Sequence, residues 1–483
     1  MNNGILNLIP ASPEILMMVM ACVILMVGVF VKESRLISHI LAQFTLVAVA
    51  ALSFYNFYYL YSNTIYAYHN QFVIDRLSIA LQEFIFLAVF VTFAYSRHYN
   101  IVHRLAENEF YVLGLLSTLG MMVLVSSHNL LTLLLGMELM SLPIYAMVAF
   151  ARGKERAIEA AMKYFVIGSL ATGMMMYGMS FIFGLTKSLD FTQIANAIAL
   201  IPPSQSYLIV FALIFLIAGA AFKLGAVPFH MWAPDVYDGS PNSVTLFLSA
   251  APKIAAFGLL IRLFVEAMPS LHAQWSEVWI AISIASIVLG NIAAIVQTNI
   301  KRMLAYSSIA HMGYMLLGLI CATPRGYSAA MFYILSYTLM TLCAFGMITI
   351  MSHDGFEANE IKDFAGLNNR NPWLAFMLMM VMFSMAGIPP LVGFIAKLGV
   401  LEVLIQAHLT WLAILAVLFA IIGSYYYLNV IKVMYFGDTP DSTEYFDYSM
   451  GQKIVLSLNG VAILLLGLFP GALFALCRAT FFG

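Results

Sequence analysis

Long apolar stretches follow one another along almost the whole chain, separated by short runs in which charges, Asn, Pro and Gly gather. Fourteen such stretches can be read, near residues 12–32, 37–61, 76–97, 109–127, 129–150, 157–186, 206–233, 241–267, 274–298, 300–322, 326–352, 371–404, 407–436 and 453–475. We number them TM1 to TM14. Each has roughly the 20 residues that an α-helix needs to cross a hydrocarbon core of about 30 Å. Backbone amides in lipid have no water to bond, so every stretch is predicted to be helical. A membrane barrel would show short alternating segments instead. The pattern predicts an all-α polytopic membrane protein.

TM7 and TM12 depart from the uniform pattern. In FKLGAVPFHMWAPDVY, Pro228 follows Lys223; in SMAGIPPLVGFIAKLGV, Pro389 and Pro390 precede Lys397. Proline removes a helix hydrogen bond. Both helices are therefore predicted to be broken at membrane depth, where free backbone groups are tolerated around a cavity. The two breaks lie five helices apart. That spacing points to an internal repeat, TM4–TM8 against TM9–TM13, although the halves match weakly letter by letter. The chain then divides into residues 1–108 with TM1–TM3, 109–267 with the first repeat, 268–436 with the second, and 437–483 with TM14.

Lys and Arg predict the orientation. Connections after odd-numbered helices carry thirteen of them: Lys32, Arg35, Arg97, Arg104, Arg152, Lys154, Arg156, Lys301, Arg302, Lys362, Arg370, Lys432 and Lys453. Even-numbered connections and the C-terminus carry five: Arg76, Lys187, Arg262, Arg325 and Arg478. Odd connections should face the cytoplasm, and both termini the periplasmic side of a bacterial inner membrane. Composition agrees. The chain is 63% hydrophobic and 9% charged, against about 25% charged in a soluble domain. A net charge of −1 provides no basic face for nucleic acid. Cys22, Cys321, Cys343 and Cys477 are scattered, without C-x-x-C spacing, so no iron–sulfur or zinc site is readable. The chain is expected to hold no metal or redox centre of its own. With no basic n-region and no cleavage site, TM1 reads as a retained helix.

Four lysines are left over, each inside a predicted span: Lys163 in TM6, Lys223 in TM7, Lys253 in TM8 and Lys397 in TM12. Glu138 lies in TM5, shortly before Pro143. A lysine at mid-helix costs about 2.5–3.5 kcal/mol on insertion scales. The cost falls where such groups face a hydrated interior, pair with each other or stay neutral. Burial and a neighbouring cation favour the neutral amine, whereas a carboxylate favours the charged form. A row of lysines with one glutamate can thus pass protons between sites of similar affinity. His230, seven residues after Lys223 and near the same face, and His311 in IKRMLAYSSIAHMGY add groups that share protons near neutral pH. Tyr306, Ser307 and Ser308 can hold water between them.

Plainer readings stand beside these. A lysine near a helix end snorkels to the interface, an option strongest for Lys163. Glu138 paired with a lysine fixes packing, and His230 or His311 bonds a freed carbonyl. Lys301, beside Arg302, is an interfacial anchor or a relay member. Glu83 in TM3 has no evident partner. Asp235 and Asp238 sit on the cytoplasmic rim and can cap the helix that follows.

FKLGAVPFHMWAPDVYDGSP, TNIKRMLAYSSIAHMGY and SMAGIPPLVGFIAKLGV resemble signature stretches of the antiporter-like subunits of NADH:quinone oxidoreductase (respiratory complex I). Multi-subunit sodium/proton antiporters and membrane-bound hydrogenases are relatives. The likeness covers nearly the whole chain and is strongest from about 128 to 400. The chain stops after TM14, carries Lys397 rather than a glutamate on TM12, and has AIEAAMKYFVIGS around Lys163; these features resemble the N-type pattern. The D-type subunit of sodium/proton antiporters shares the TM12 feature and stands as an alternative, as does a passive membrane scaffold.

The resemblance implies a non-redox subunit of a translocase, moving protons while quinone is reduced elsewhere in the complex. It implies a coupling pair of Glu138 and Lys223 with Lys163 nearby, a central relay of Lys253 with His230 or His311, and Lys397 as the exit residue. It implies neighbouring antiporter-like subunits and other membrane and peripheral subunits as partners. NADH, FMN, iron–sulfur clusters and quinone would belong to those partners and none to this chain. An outer β-hairpin around Tyr66 to Ile74 and inversion of the two five-helix repeats across the membrane are further implications. The sequence departs from the family pattern at Ser240 to Val244, and at Pro252 directly before Lys253, where a local shift of TM8 is expected.

Overall fold

The computed structural model describes residues 8–31, 34–61, 64–201, 206–438 and 448–482; Lys32 lies outside them. Thirteen described helices have the length and apolarity to cross a membrane. They are TM1 Ser12–Phe30, TM2 Ser34–Tyr58, TM3 Arg76–Val102, TM4 Asn108–Val125, TM5 Leu130–Val148, TM6 Glu155–Thr186, TM7 Tyr207–Leu224, TM8 Asn242–Glu266, TM9 Pro269–Ile295, TM10 Ile300–Ile320, TM11 Pro324–Met351, TM13 Thr410–Phe436 and TM14 Met450–Leu468. TM12 is the remaining crossing, built from two half-helices, Pro372–Ala386 and Val392–Gln406. The crossings match those read from the apolar pattern.

The differences have local causes. TM7 ends at Leu224 instead of running to 233, and a short helix, Trp232–Gly239, follows the break. TM14 stops at Leu468 ahead of Pro470, and a further short helix, Gly471–Phe481, takes up the rest of the apolar run. TM8, read as continuous, is interrupted at Ala250 into Asn242–Ser249 and Ala251–Leu260 and ends in a π-turn, Ile261–Glu266. Pro252 falls in the first turn of the second segment, where its missing N–H is harmless. The shift expected from Pro252 is not its doing; the helix breaks two residues earlier, at Ala250.

The repeat shows in how the helices begin and cross. Asn129 caps TM5 and bridges to Asp190 beyond TM6; Asn299 caps TM10 and bridges to Glu360 beyond TM11. The flanking bonds match: Leu130 N donates to Leu189 O at 2.9 Å and Ile300 N to Asn359 O at 2.8 Å. Gly120 lets TM4 press against the TM5 backbone at Met140, and Gly290 lets TM9 press against TM10 at Ala310. Gly120 and Gly290, Asn129 and Asn299, and Asp190 and Glu360 each lie 170 positions apart. TM5 follows an even-numbered connection and TM10 an odd one, so the two matched bridges sit on opposite faces. The repeats are inverted.

On the face of the first bridge, strands β1 (Ile65–Ala67) and β2 (Phe72–Ile74) form an antiparallel hairpin pairing Ile65 with Ile74. Val73 N bonds Ser126 O at 2.8 Å, which ties the hairpin to the end of TM4. At the centre of the molecule TM8 is buried from Asn242 to Phe264, and TM10 and TM11 are nearly as enclosed. TM1, TM2, TM13 and TM14 turn apolar side chains outward.

Candidate functional site

Three lysines end at the carbonyl end of a helix. Lys253, 2% exposed, donates to Leu224 O, the last residue of TM7, at 2.6 Å. Lys397 donates to Met385 O and Ala386 O, both at 2.9 Å, at the end of the first half of TM12. Lys301, 1% exposed, donates to Ser240 O at 2.9 Å, the cap of the short helix Trp232–Gly239, and to Asn242 Oδ1 at 3.1 Å. A helix end carries unpaired carbonyls and the negative end of the dipole. The ammonium satisfies those carbonyls, and they replace the water that it lost. The sequence supplies the ends with glycine: Gly225 (φ +73°) and Gly387 (φ +89°) adopt the left-handed conformation at the two breaks. Trp232 faces the Lys253 ammonium at 5.3 Å and Tyr314 that of Lys397 at 5.4 Å, each adding a cation–π contact.

Lys223 and Glu138 are brought near each other but do not touch. Lys223 Nζ donates to Ser141 Oγ at 2.7 Å, while Glu138 Oε1 accepts from Thr172 Oγ1 at 2.6 Å. Among the described residues no ion pair within 4.0 Å joins them. Ser141 lies one turn beyond Glu138 on TM5, so the two charges act through that hydroxyl or through space.

His230 is buried in the break between TM7 and the short helix, its Nδ1 without a partner. His311 is 3% exposed and sits between two phenols: Nδ1 is 2.7 Å from Tyr333 Oη and Nε2 3.1 Å from Tyr427 Oη. Tyr427 also bonds Ser307. A group of hydroxyls and one imidazole thus lies between TM10, TM11 and TM13. Lys397 borders a cavity of about 340 Å³ that Tyr314, Ser424 and Gly387 also line.

Lys163 is not in this buried row. Its side chain is 43% exposed and is held between Glu159 at 2.8 Å and Asp235 at 3.0 Å. TM6 is 32 residues long, more than a bilayer needs, and Lys163 lies in its early turns, where two carboxylates and solvent remain in reach. Asp235 also takes Arg302 Nη1 at 2.9 Å. Burial pushes the Asp235 carboxyl up, but hydrogen bonds from Lys163 and Arg302 outweigh it and hold the group below its usual range. Lys301, left open between anchor and relay, is fully buried, whereas its neighbour Arg302 takes the surface position. Glu83 is partly buried on the outward side of TM3, with Oε1 unpartnered.

The sequence reading missed Ser141, Thr172, Tyr333 and Tyr427. Single hydroxyls in apolar helices carry no signal of their own. Only the spacing of Ser141 from Glu138 pointed to a shared face.

Comparison with known proteins finds relatives along the whole chain. Residues 127–423 match the family described as "NADH:quinone oxidoreductase/Mrp antiporter, TM". NADH-quinone oxidoreductase subunit N of Coxiella burnetii is 59% identical over 98% of this chain and 99% of its own length. A chain of respiratory complex I from Thermus thermophilus, solved with bound aureothin, superposes with a TM-score of 0.81 at 30% identity, covering 97% of this chain and 100% of that one. A chain of an archaeal membrane-bound sulfane sulfur reductase has the same fold, with a TM-score of 0.85 at 24% identity over 98% and 96% of the two chains. Of the two branches that the TM12 lysine left open, the relatives fall on the N-type side. The chain belongs to the NADH:quinone oxidoreductase/Mrp antiporter transmembrane family and, within it, to the subunit N family of NADH-quinone oxidoreductase.

Proposed function

We propose that this chain is a proton-translocating membrane subunit of an NADH:quinone oxidoreductase, a translocase component that carries no redox chemistry itself. The observation that carries this reading is the set of lysines, buried Lys253 and Lys301 and half-buried Lys397, each seated on a freed helix carbonyl end. An ammonium so placed can give up its proton and still leave a polar amine in a site that offers dipoles. A purely structural pair would need a fixed counter-charge instead, and Lys253 and Lys397 have no ion-pair partner among the described residues. Partner subunits would hold NADH, FMN, the iron–sulfur clusters and quinone. The odd-numbered connections would face the cytoplasm and both termini the periplasm of the inner membrane.

In this account quinone reduction in a partner changes the charge state of the polar axis that passes Glu138. The field of Glu138 on Lys223 changes with it. Weakening that field releases the Lys223 proton toward Lys253, past His230, and onward through the His311 hydroxyl group to Lys397. Lys163 acts at the rim, orienting Asp235 beside the short helix. The test is Lys223→Ala in the assembled complex, with proton uptake followed in inverted membrane vesicles. Loss of pumping at preserved assembly supports the assignment; undiminished pumping rejects it.

A further inference from the structure

On the face of the odd-numbered connections, a pocket of about 440 Å³ opens among the ends of TM3, TM5 and TM6 and the segment after TM11. Arg104 and Arg152 stand on its rim. Deeper in, Glu357, 16% exposed, accepts from Lys154 Nζ at 2.8 Å and from Tyr99 Oη at 3.1 Å, with His103 Nδ1 at 4.0 Å. Asp354 and His353 bear on His103 from outside, and the buried His103 Nε2 has no partner. Tyr99 Oη accepts from Asn242 N at 3.2 Å, and Asn242 Oδ1 accepts from Lys301 Nζ at 3.1 Å. Two hydrogen-bonded residues therefore separate a carboxylate on an open polar pocket from a wholly buried ammonium.

A surface clamp between Lys154 and Glu357 would account for one of these contacts. It does not account for the buried lysine that bears on Glu357 or for the unpartnered imidazole nitrogen beside it. Burial pushes the Glu357 carboxyl up, but Lys301, Lys154 and His103 together outweigh it and hold the group below its usual range. Burial likewise lowers His103, against the opposing pull of Glu357. If Lys301 is neutral, one of the cations that keep Glu357 ionised is gone, and the carboxylate takes a proton more readily. A neutral Lys301 thus favours loading of the site.

We propose that Glu357, assisted by His103, is the proton-loading group on this face of the chain. Its carboxylate takes a proton from hydronium that reaches the pocket from the medium, leaving water. The resulting carboxyl gives that proton to the neutral Lys301 amine through water, and the carboxylate and the ammonium are restored. The proposal rests on the relay reading above and extends it to an entrance.

The test uses the whole complex in inverted vesicles, with the pH of the outer medium varied. Glu357→Gln is expected to slow initial proton uptake about a hundredfold, the lower end of what loss of a positioned acid–base group does, and most at alkaline pH, where hydronium is scarce. Glu357→Asp should restore much of the rate. Lys154→Ala spares the carboxyl but removes one of the cations that hold it ionised, so it should keep uptake while extending it to higher pH. The proposal is overturned if Glu357→Gln pumps normally across the pH range, or if Lys154→Ala reproduces its loss. Should Glu357→Gln fail to assemble, His103→Gln decides: an unchanged pH profile rejects the entrance. Failure here with Lys223→Ala still inactive removes the entrance alone, whereas normal pumping in both removes the relay as well.

Discussion

An ammonium group at membrane depth is tolerated here because a helix ends beside it, and the same holds at Lys253, Lys301 and Lys397. Lys223 is the exception: it rests on the Ser141 hydroxyl. Ser141→Ala removes that acceptor, and stranding a buried charged donor costs about 1–3 kcal/mol. The expected outcome is a roughly tenfold slower proton transfer, by the equivalence of about 1.4 kcal/mol with a factor of ten, read as proton uptake at unchanged assembly. Glu357 yields a stability prediction with a fixed sign. Its folded-state affinity for protons is depressed. It therefore contributes stability above the ordinary carboxylate value of about 4.3, and loses it as the pH falls from there through the lower folded value. The melting temperature of the native complex should drop across that window, and more steeply than that of Glu357→Gln.

At the scale of elements, the interruptions decide where the charges sit. At Gly387 a Cβ would fall 2.9 Å from Lys397 Cδ on a backbone at φ +89°. Gly387→Ala should cost about 1–2 kcal/mol in backbone conformation and displace the Lys397 ammonium, so both melting temperature and pumping should fall. Gly153→Ala, where a Cβ meets nothing within 4 Å, is the matched control. At the other end of TM8, Arg262 is 1% exposed and binds Asp75 at 2.7 Å and Glu266 at 2.6 Å. Arg262→Met leaves two half-buried carboxylates without their cation and should destabilise the subunit by about 3 kcal/mol, the lower end for a broken buried pair, seen as lost assembly on native gels. The TM7 and TM12 breaks were legible because prolines mark them. The TM8 break was not: its hinge residue is Ala250, and Pro252 lies within a turn that accepts proline. Arg262 was taken for part of a surface connection, because the two acids that enclose it come from TM3's cap and from its own helix.

At the scale of the molecule, the crossings, the inverted repeat and the hairpin all followed from apolar length, breaker spacing and family likeness. What escaped was depth. Lys301 lies nearer the start of its apolar run than Lys163 does, yet Lys301 is enclosed and Lys163 exposed. Depth depends on which neighbours cover a helix face, and TM10 is ringed by other helices where TM6 is not. The orientation is open to a direct check. A cysteine at Gly153 should react with an impermeant maleimide only from the cytoplasmic side, and one at Lys187 only from the periplasmic side. The most direct test of the account is the number of protons moved per NADH oxidised by the purified complex in liposomes with Lys253→Met. Loss of the ammonium that closes TM7 should lower that number while the complex stays assembled. A ratio equal to that of the native complex would contradict a proton path through these lysines.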